Sequence, residues 1–331
     1  MSLTTVTIIS PEAANGRNVA ALGVVRALAS TQKTGVFRPA VCKKETFTQT
    51  LLDAVNVGET IEQARGVCPK RARHDKNGSR ADIVAAYETT VAAIDTEAMV
   101  IVGTDHSCVN DPETFAFNAD VAADLQSPVF LAVCTINRTP EQVRETIKAC
   151  TATVEEHGSA VLGVFVTGAD EEQIPDLKAF FADADVPTWV LPKVDFEEDA
   201  AAEKAAEAFD RNVSASEIHA ALEAPFKAPV TPYAFQYGLL GKAKAARKTI
   251  VLPEGAEDRI IAAADYLLER DIVDLIIVGD KEAILARGEE LGLNSLGKAK
   301  FQAMDDETVL APMVAKLCEL RAKKGMTEEQ A

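Results

Sequence analysis

Short apolar runs alternate with longer amphipathic stretches through the first half of the chain. The runs at residues 4–10 (TTVTIIS), 35–39, 98–102, 128–133, 161–166 and 188–191 are each bounded by Gly, Pro or polar residues. That pattern predicts buried strands. Between them, apolar residues at helical spacing predict helices over 19–31, 55–72, 80–93, 118–125, 139–157 and 176–182, with 71–78 as a loop. Thr139-Pro140-Glu141 is a strong helix start: a threonine cap, a proline at the first position, then an acid. Strands alternating with helices predict a mostly parallel sheet with helices on both faces, ending near residue 195.

An alanine- and glutamate-rich helix is expected over 200–224. After it, Pro225, Pro229 and Pro232 fall within eight residues, a stiff and extended segment. The expected organisation is therefore a first domain over 1–196, an acidic helix and proline-rich linker over 197–228, and a second domain over 229–331. In the second domain, strands are expected at 249–252, 274–278 and 299–302. Helices are expected at 233–247, 257–270, 281–291 and 307–324, so βαβ units continue here.

Charge and cysteine usage narrow the class. The formal charge of −17 argues against a polyanion such as nucleic acid as partner. The six cysteines show no C-x-x-C spacing, which fits a reducing compartment better than a disulfide framework. No apolar run reaches membrane-spanning length and no basic-then-apolar leader is present. The expectation is a cytoplasmic protein with no membrane partner and no metal site.

The turn after the first strand is where a phosphate-binding loop would sit. Here it reads Ser10-Pro11-Glu12-Ala13-Ala14-Asn15-Gly16-Arg17-Asn18-Val19. Gly16 matches the second glycine of such a loop. Arg17 stands at the lysine, and Asn18 at the hydroxyl that would bind magnesium. Glu12 adds negative charge where phosphates would lie, so a structural remnant is expected rather than an active NTPase. Further on, Gly103-Thr104-Asp105-His106-Ser107 places Asp105 and His106 at a strand end. A capped turn is the simpler reading there than a metal or acid–base pair.

Three segments beyond the prolines carry a sharper signal. They are TIVLPEGAEDR (residues 249–259), LLERDIVDLIIVGD (267–280) and CELRAKKGMTEEQA (318–331). In order and spacing they resemble the opening of the catalytic domain of phosphate acetyltransferase. The preceding module resembles the dethiobiotin-synthetase-like domain of the family's long form. The resemblance implies an α/β chain: an N-terminal P-loop-like parallel sheet followed by an incomplete βα acyltransferase (phosphate acetyl/butyryl transferase) domain. It implies reversible acetyl transfer between acetyl-CoA and inorganic phosphate, with coenzyme A as substrate, no cofactor, and a homo-oligomeric enzyme.

In the family an aspartate acts as base for the thiol, while a serine and an arginine stabilise the tetrahedral carbon. Those positions are expected beyond Ala331, so no catalytic residue is assigned and this chain is expected to be inactive alone. Two substrate-binding candidates remain. Arg321 matches the arginine of the ELR motif, assigned to coenzyme A. Arg259 opens a helix against its dipole, although a salt bridge to Glu257 or Asp258 would also explain it. The alternative reading is a non-catalytic regulatory or assembly module with a dead nucleotide-binding fold. An active ATP-dependent ligase of dethiobiotin-synthetase type is disfavoured by the altered loop.

Overall fold

The computed structural model describes residues 3–12, 16–104, 112–196 and 200–331. Two compact units partition the chain, one running to Phe235 and the other spanning Gln236–Ala331. In the first, seven strands form one sheet: β1 (Thr4–Ile9), β2 (Thr34–Ala40), β3 (Arg65–Val67), β4 (Ala98–Val102), β5 (Val129–Cys134), β6 (Val161–Ala169) and β7 (Thr188–Pro192). Their order is β3-β2-β4-β1-β5-β6-β7, and every pairing is parallel.

Side-chain alternation splits each central strand between two cores. Val6 and Ile8 of β1, with Phe130 and Ala132 of β5, face one cluster that includes the helix Arg17–Ala29. Ile9, Val129, Leu131 and Val133 face the other, with Phe115, Val143 and Val154. Both faces are thus covered by helices, as a parallel sheet requires.

Three expectations need correction. Residues 55–72 are not one helix. A short helix, Phe47–Leu52, is followed by turns, the strand β3, and a new helix Pro69–His74. Gly66 lets β3 lie against β2, because a Cβ there would stand 2.3 Å from the Pro39 carbonyl oxygen. The loop expected at 71–78 is instead the junction of two helices. Asp75 breaks the run and its side chain accepts from the Gly78 amide at 2.9 Å, starting the helix Lys76–Ala93.

The acidic stretch, expected as one helix, is two: Ala201–Asn212 and Ala215–Leu222. Val213 is extended, and Ser214 with Glu217 forms a capping box that starts the second helix. The first of these packs against Arg17–Ala29, and Phe209 enters the core at 1% exposure. The proline-rich segment is tied to the first unit, since Gln126 donates to the Pro229 carbonyl at 3.1 Å.

The second unit holds β8 (Thr249–Leu252), β9 (Asp274–Val278) and β10 (Lys300–Gln302), parallel and in the order β10-β9-β8. All three were expected from the sequence. Ile261, Ala264, Leu268, Leu275, Ile277 and Ile284 form its core. The helix Glu307–Arg321 buries no residue, and Ile250 and Val251 on β8 are exposed. No helix among the described residues is long and apolar enough to cross a membrane.

Two stability predictions follow from this packing. A Cβ on Gly23 would stand 1.9 Å from the Phe209 ring. Gly→Ala within a helix ordinarily stabilises by up to about 1 kcal/mol; here Gly23→Ala is expected to destabilise by about 1–3 kcal/mol through overpacking, read from urea unfolding. Glu59 lies against the edge of β2, where one carboxylate oxygen accepts from the Val36 amide at 2.9 Å and the other is buried without a partner. Burial pushes its carboxyl from 4.5 up to about 7. A raised carboxyl means the folded state holds its proton longer than the unfolded one, so stability falls as pH rises from about 4.5 to about 7. Glu59→Gln should remove that fall and gain on the order of 1–2 kcal/mol at pH 8, measured by denaturant melts at both ends of the range.

Candidate functional site

In an open parallel sheet, ligands bind beyond the carboxyl ends of strands, where neighbouring connections leave in opposite directions. Here β1 leads to β2 on one side and its neighbour β5 leads to β6 on the other. The loops after β1 and β5 therefore flank a crevice.

Its first wall is the altered phosphate loop. Gly16 precedes the helix Arg17–Ala29 with φ of 77°, and a Cβ there would stand 2.3 Å from Thr167. Both facts demand glycine. Arg17, at the expected phosphate-lysine position, is 6% exposed and turned onto the sheet. It donates to the Gly103 carbonyl and to Asn18 Oδ1, each at 2.9 Å. Asn18 is thereby engaged with a guanidinium.

Glu12 enters the crevice instead. Its carboxylate is 6% exposed and accepts from Ser10 Oγ at 3.3 Å and from the Cys134 amide at 3.2 Å. The Arg138 guanidinium, on the loop after β5, donates to it at 2.5 Å. Burial raises the Glu12 pKa, and Arg138 and the hydrogen bonds oppose that rise. Burial likewise raises the Cys134 thiol, so it is no ready nucleophile. Arg138 lies 126 positions from Glu12 in sequence, and no local pattern announces their meeting. Asp105 and His106 lie outside the described residues. Among those described, no group of His, Cys, Asp and Glu side chains is arranged to hold a metal ion.

In the second unit, β8 ends at Pro253-Glu254-Gly255. Gly255 allows the turn to pack on β9, since a Cβ would stand 2.5 Å from the Val278 carbonyl oxygen. The helix Asp258–Glu269 follows, and its first turn is fixed by a bidentate pair. Arg287 Nε and Nη2 donate to Asp258 Oδ1 and Oδ2 at 2.9 and 2.7 Å, holding that carboxyl below its ordinary range. The salt bridge expected between Asp258 or Glu257 and Arg259 does not form, because Arg287 takes the Asp258 carboxylate. Arg259 is exposed, and no ion pair engages it among the described residues. Arg321 is exposed in the last turn of Glu307–Arg321, also without an ion pair there. The two arginines are not joined by any bond to one another. Arg287 was not singled out from the sequence, although its i,i+3 spacing to Glu290 was visible.

Comparison with known proteins supplies the decisive observation: residues 4–204 match the family described as an AAA domain. The chain belongs to the AAA domain family. Residues 234–331 match the family described as phosphate acetyl/butaryl transferase. A phosphate acetyltransferase of Nitratidesulfovibrio vulgaris is 39% identical over 127 residues, covering 37% of this chain and 17% of the relative. One of Salmonella typhimurium is 40% identical over 106 residues, 31% of this chain and 14% of the relative. The matched part of this chain is thus a small fraction of either relative's length. A solved structure of the MinC:MinD cell division protein complex from Aquifex aeolicus aligns over 69% of this chain and 99% of its own, at 9% identity and a TM-score of 0.39.

With the crevice filled by Glu12 and Arg17 turned away, the AAA domain should bind magnesium–ATP no more tightly than millimolar. Calorimetric titration checks this, and micromolar affinity would contradict the geometry.

Proposed function

We propose that the phosphate acetyl/butaryl transferase domain serves reversible acetyl transfer between acetyl-CoA and inorganic phosphate, giving acetyl phosphate and coenzyme A. A phosphate oxygen adds to the thioester carbonyl, the carbon–sulfur bond breaks, and the thiolate leaves and takes a proton. The observation that carries this reading is the match over residues 234–331, with relatives named phosphate acetyltransferase at 39–40% identity. Arg321 and Arg259 are proposed to hold the anionic groups of coenzyme A, with no metal or cofactor required. Their exposure, and the lack of acidic partners among the described residues, leave both guanidinium groups open to a phosphate. A cytoplasmic homo-oligomer is proposed as the working form.

For the AAA domain we propose a non-catalytic regulatory or assembly role. The carboxylate seated in its own ligand crevice favours that reading over phosphoryl transfer.

The test is calorimetric titration of coenzyme A, paired with thiol release from acetyl-CoA in the presence and absence of phosphate. Coenzyme A is expected to bind, and Arg321→Ala to weaken it about tenfold, the loss of one charge-assisted contact. Arg259→Ala should weaken it less, as a single-point contact at a helix start. A folded protein indifferent to coenzyme A would sink the proposal.

A further inference from the structure

The Glu12 carboxylate sits where a bound anion would sit. A hydroxyl, a backbone amide and a guanidinium converge on it from two loops: Ser10 Oγ, the Cys134 N–H and Arg138 Nη1. That donor set is one a phosphate or sulfate would use, and it lies at the topological switch point between β1 and β5. Arg138 is reachable from outside. Its side chain keeps 28% exposure and lines a cleft of about 470 Å³ with Thr135, Thr139, Gln142, Asp170 and Lys193. Lys193 has no ion pair among the described residues, and its charge is felt at Cys134, directly beneath the carboxylate. Two cationic side chains, Arg138 and Lys193, thus stand between the occupied position and open solvent, with the Asp170 carboxylate beside them.

We propose that this crevice is an anion site which the chain keeps filled with its own Glu12 carboxylate, and that a small tetrahedral dianion of the phosphate or sulfate type takes its place on Arg138 and the Cys134 amide once the Glu12 charge is removed. The inference is independent of the acetyl-transfer reading, because it concerns the AAA domain alone. The site suits a free oxyanion rather than a magnesium–nucleotide. Arg17 is committed to Gly103, and Asn18 offers no hydroxyl for the metal.

Displacement is physically accessible because a buried carboxylate loses hydration that a single ion pair only partly replaces. The charged and titratable groups around Glu12 are Arg138 and Lys193, Asp170 across the cleft, Arg17 on its own loop, and the thiols of Cys134 and Cys150. Burial pushes the Cys150 thiol up to about 12 and raises that of Cys134, so neither changes charge between pH 5 and 8. Burial raises the Glu12 carboxyl, so acidification favours its protonated form earlier than for a free carboxylate and loosens its hold on Arg138.

Sulfate is the probe, since its charge is constant over that range, and calorimetry on the whole chain is the readout, with far-UV circular dichroism confirming the fold. At pH 8 the unaltered protein should bind sulfate weakly, Glu12→Gln about tenfold more tightly, and Glu12→Gln with Arg138→Gln no better than the unaltered protein. Acidification to pH 5 should tighten binding in the unaltered protein and leave Glu12→Gln flat. A folded Glu12→Gln protein with no gain, or a gain that survives loss of Arg138, overturns the proposal. Should Glu12→Gln fail to fold, the pH series decides. Tightening in the unaltered protein that is absent from Arg138→Gln supports the site; equal tightening, or none in either, refutes it.

Discussion

Parallel strands leave no face for water, so everything in the first unit is arranged around covering both sides of β1 and its neighbours. The strand sits between β4 and β5, and its residues supply both cores in alternation. Because each connection must cross back over a face, the loops collect at the two ends of the sheet. The crevice beside β1 is the place where those connections part. Its existence follows from topology, whatever the loops contain.

What the loops contain sets the chemistry. Carboxylates and guanidinium groups are brought under cover in several places, and three of these carboxylates are matched by guanidinium groups: Glu12 with Arg138, Glu45 with Arg38 and Arg65, Asp124 with Arg80. Breaking such a pair leaves a buried charge alone, which is more damaging than never having built the pair. The Glu12 pair differs from the rest in position. The other pairs brace loops and helices, whereas this one stands in the ligand crevice. Electrostatics that would draw a phosphate are satisfied from within the chain.

The second unit is built on a narrower base. Three parallel strands and two well-packed helices share one compact core, and the Asp258–Arg287 fork ties the helices together at their exposed ends. The helix Glu307–Arg321, with Pro312 inside it, contributes no buried side chain, and apolar residues such as Met313 and Leu320 remain 63% and 70% exposed. Its arginine therefore gains its surroundings from solvent.

The sequence by itself determined most of the elements, because strands buried on both faces must read as unbroken apolar runs and helices must repeat near every third or fourth residue. It located the altered phosphate loop, and the words LPEGAEDR and ELR-x-x-KGMT marked the acyltransferase domain. It missed β3, whose three residues, Arg65-Gly66-Val67, are held by pairing with β2 and carry no apolar run. It took residues 200–224 as one helix because composition is continuous across the capping box. Only the tertiary structure decided that Arg17 faces Gly103, that Arg287 rather than Arg259 holds Asp258, and that Glu12 meets Arg138. Those outcomes depend on which loops the sheet order brings together, and contacts between distant residues leave no periodic trace in the chain.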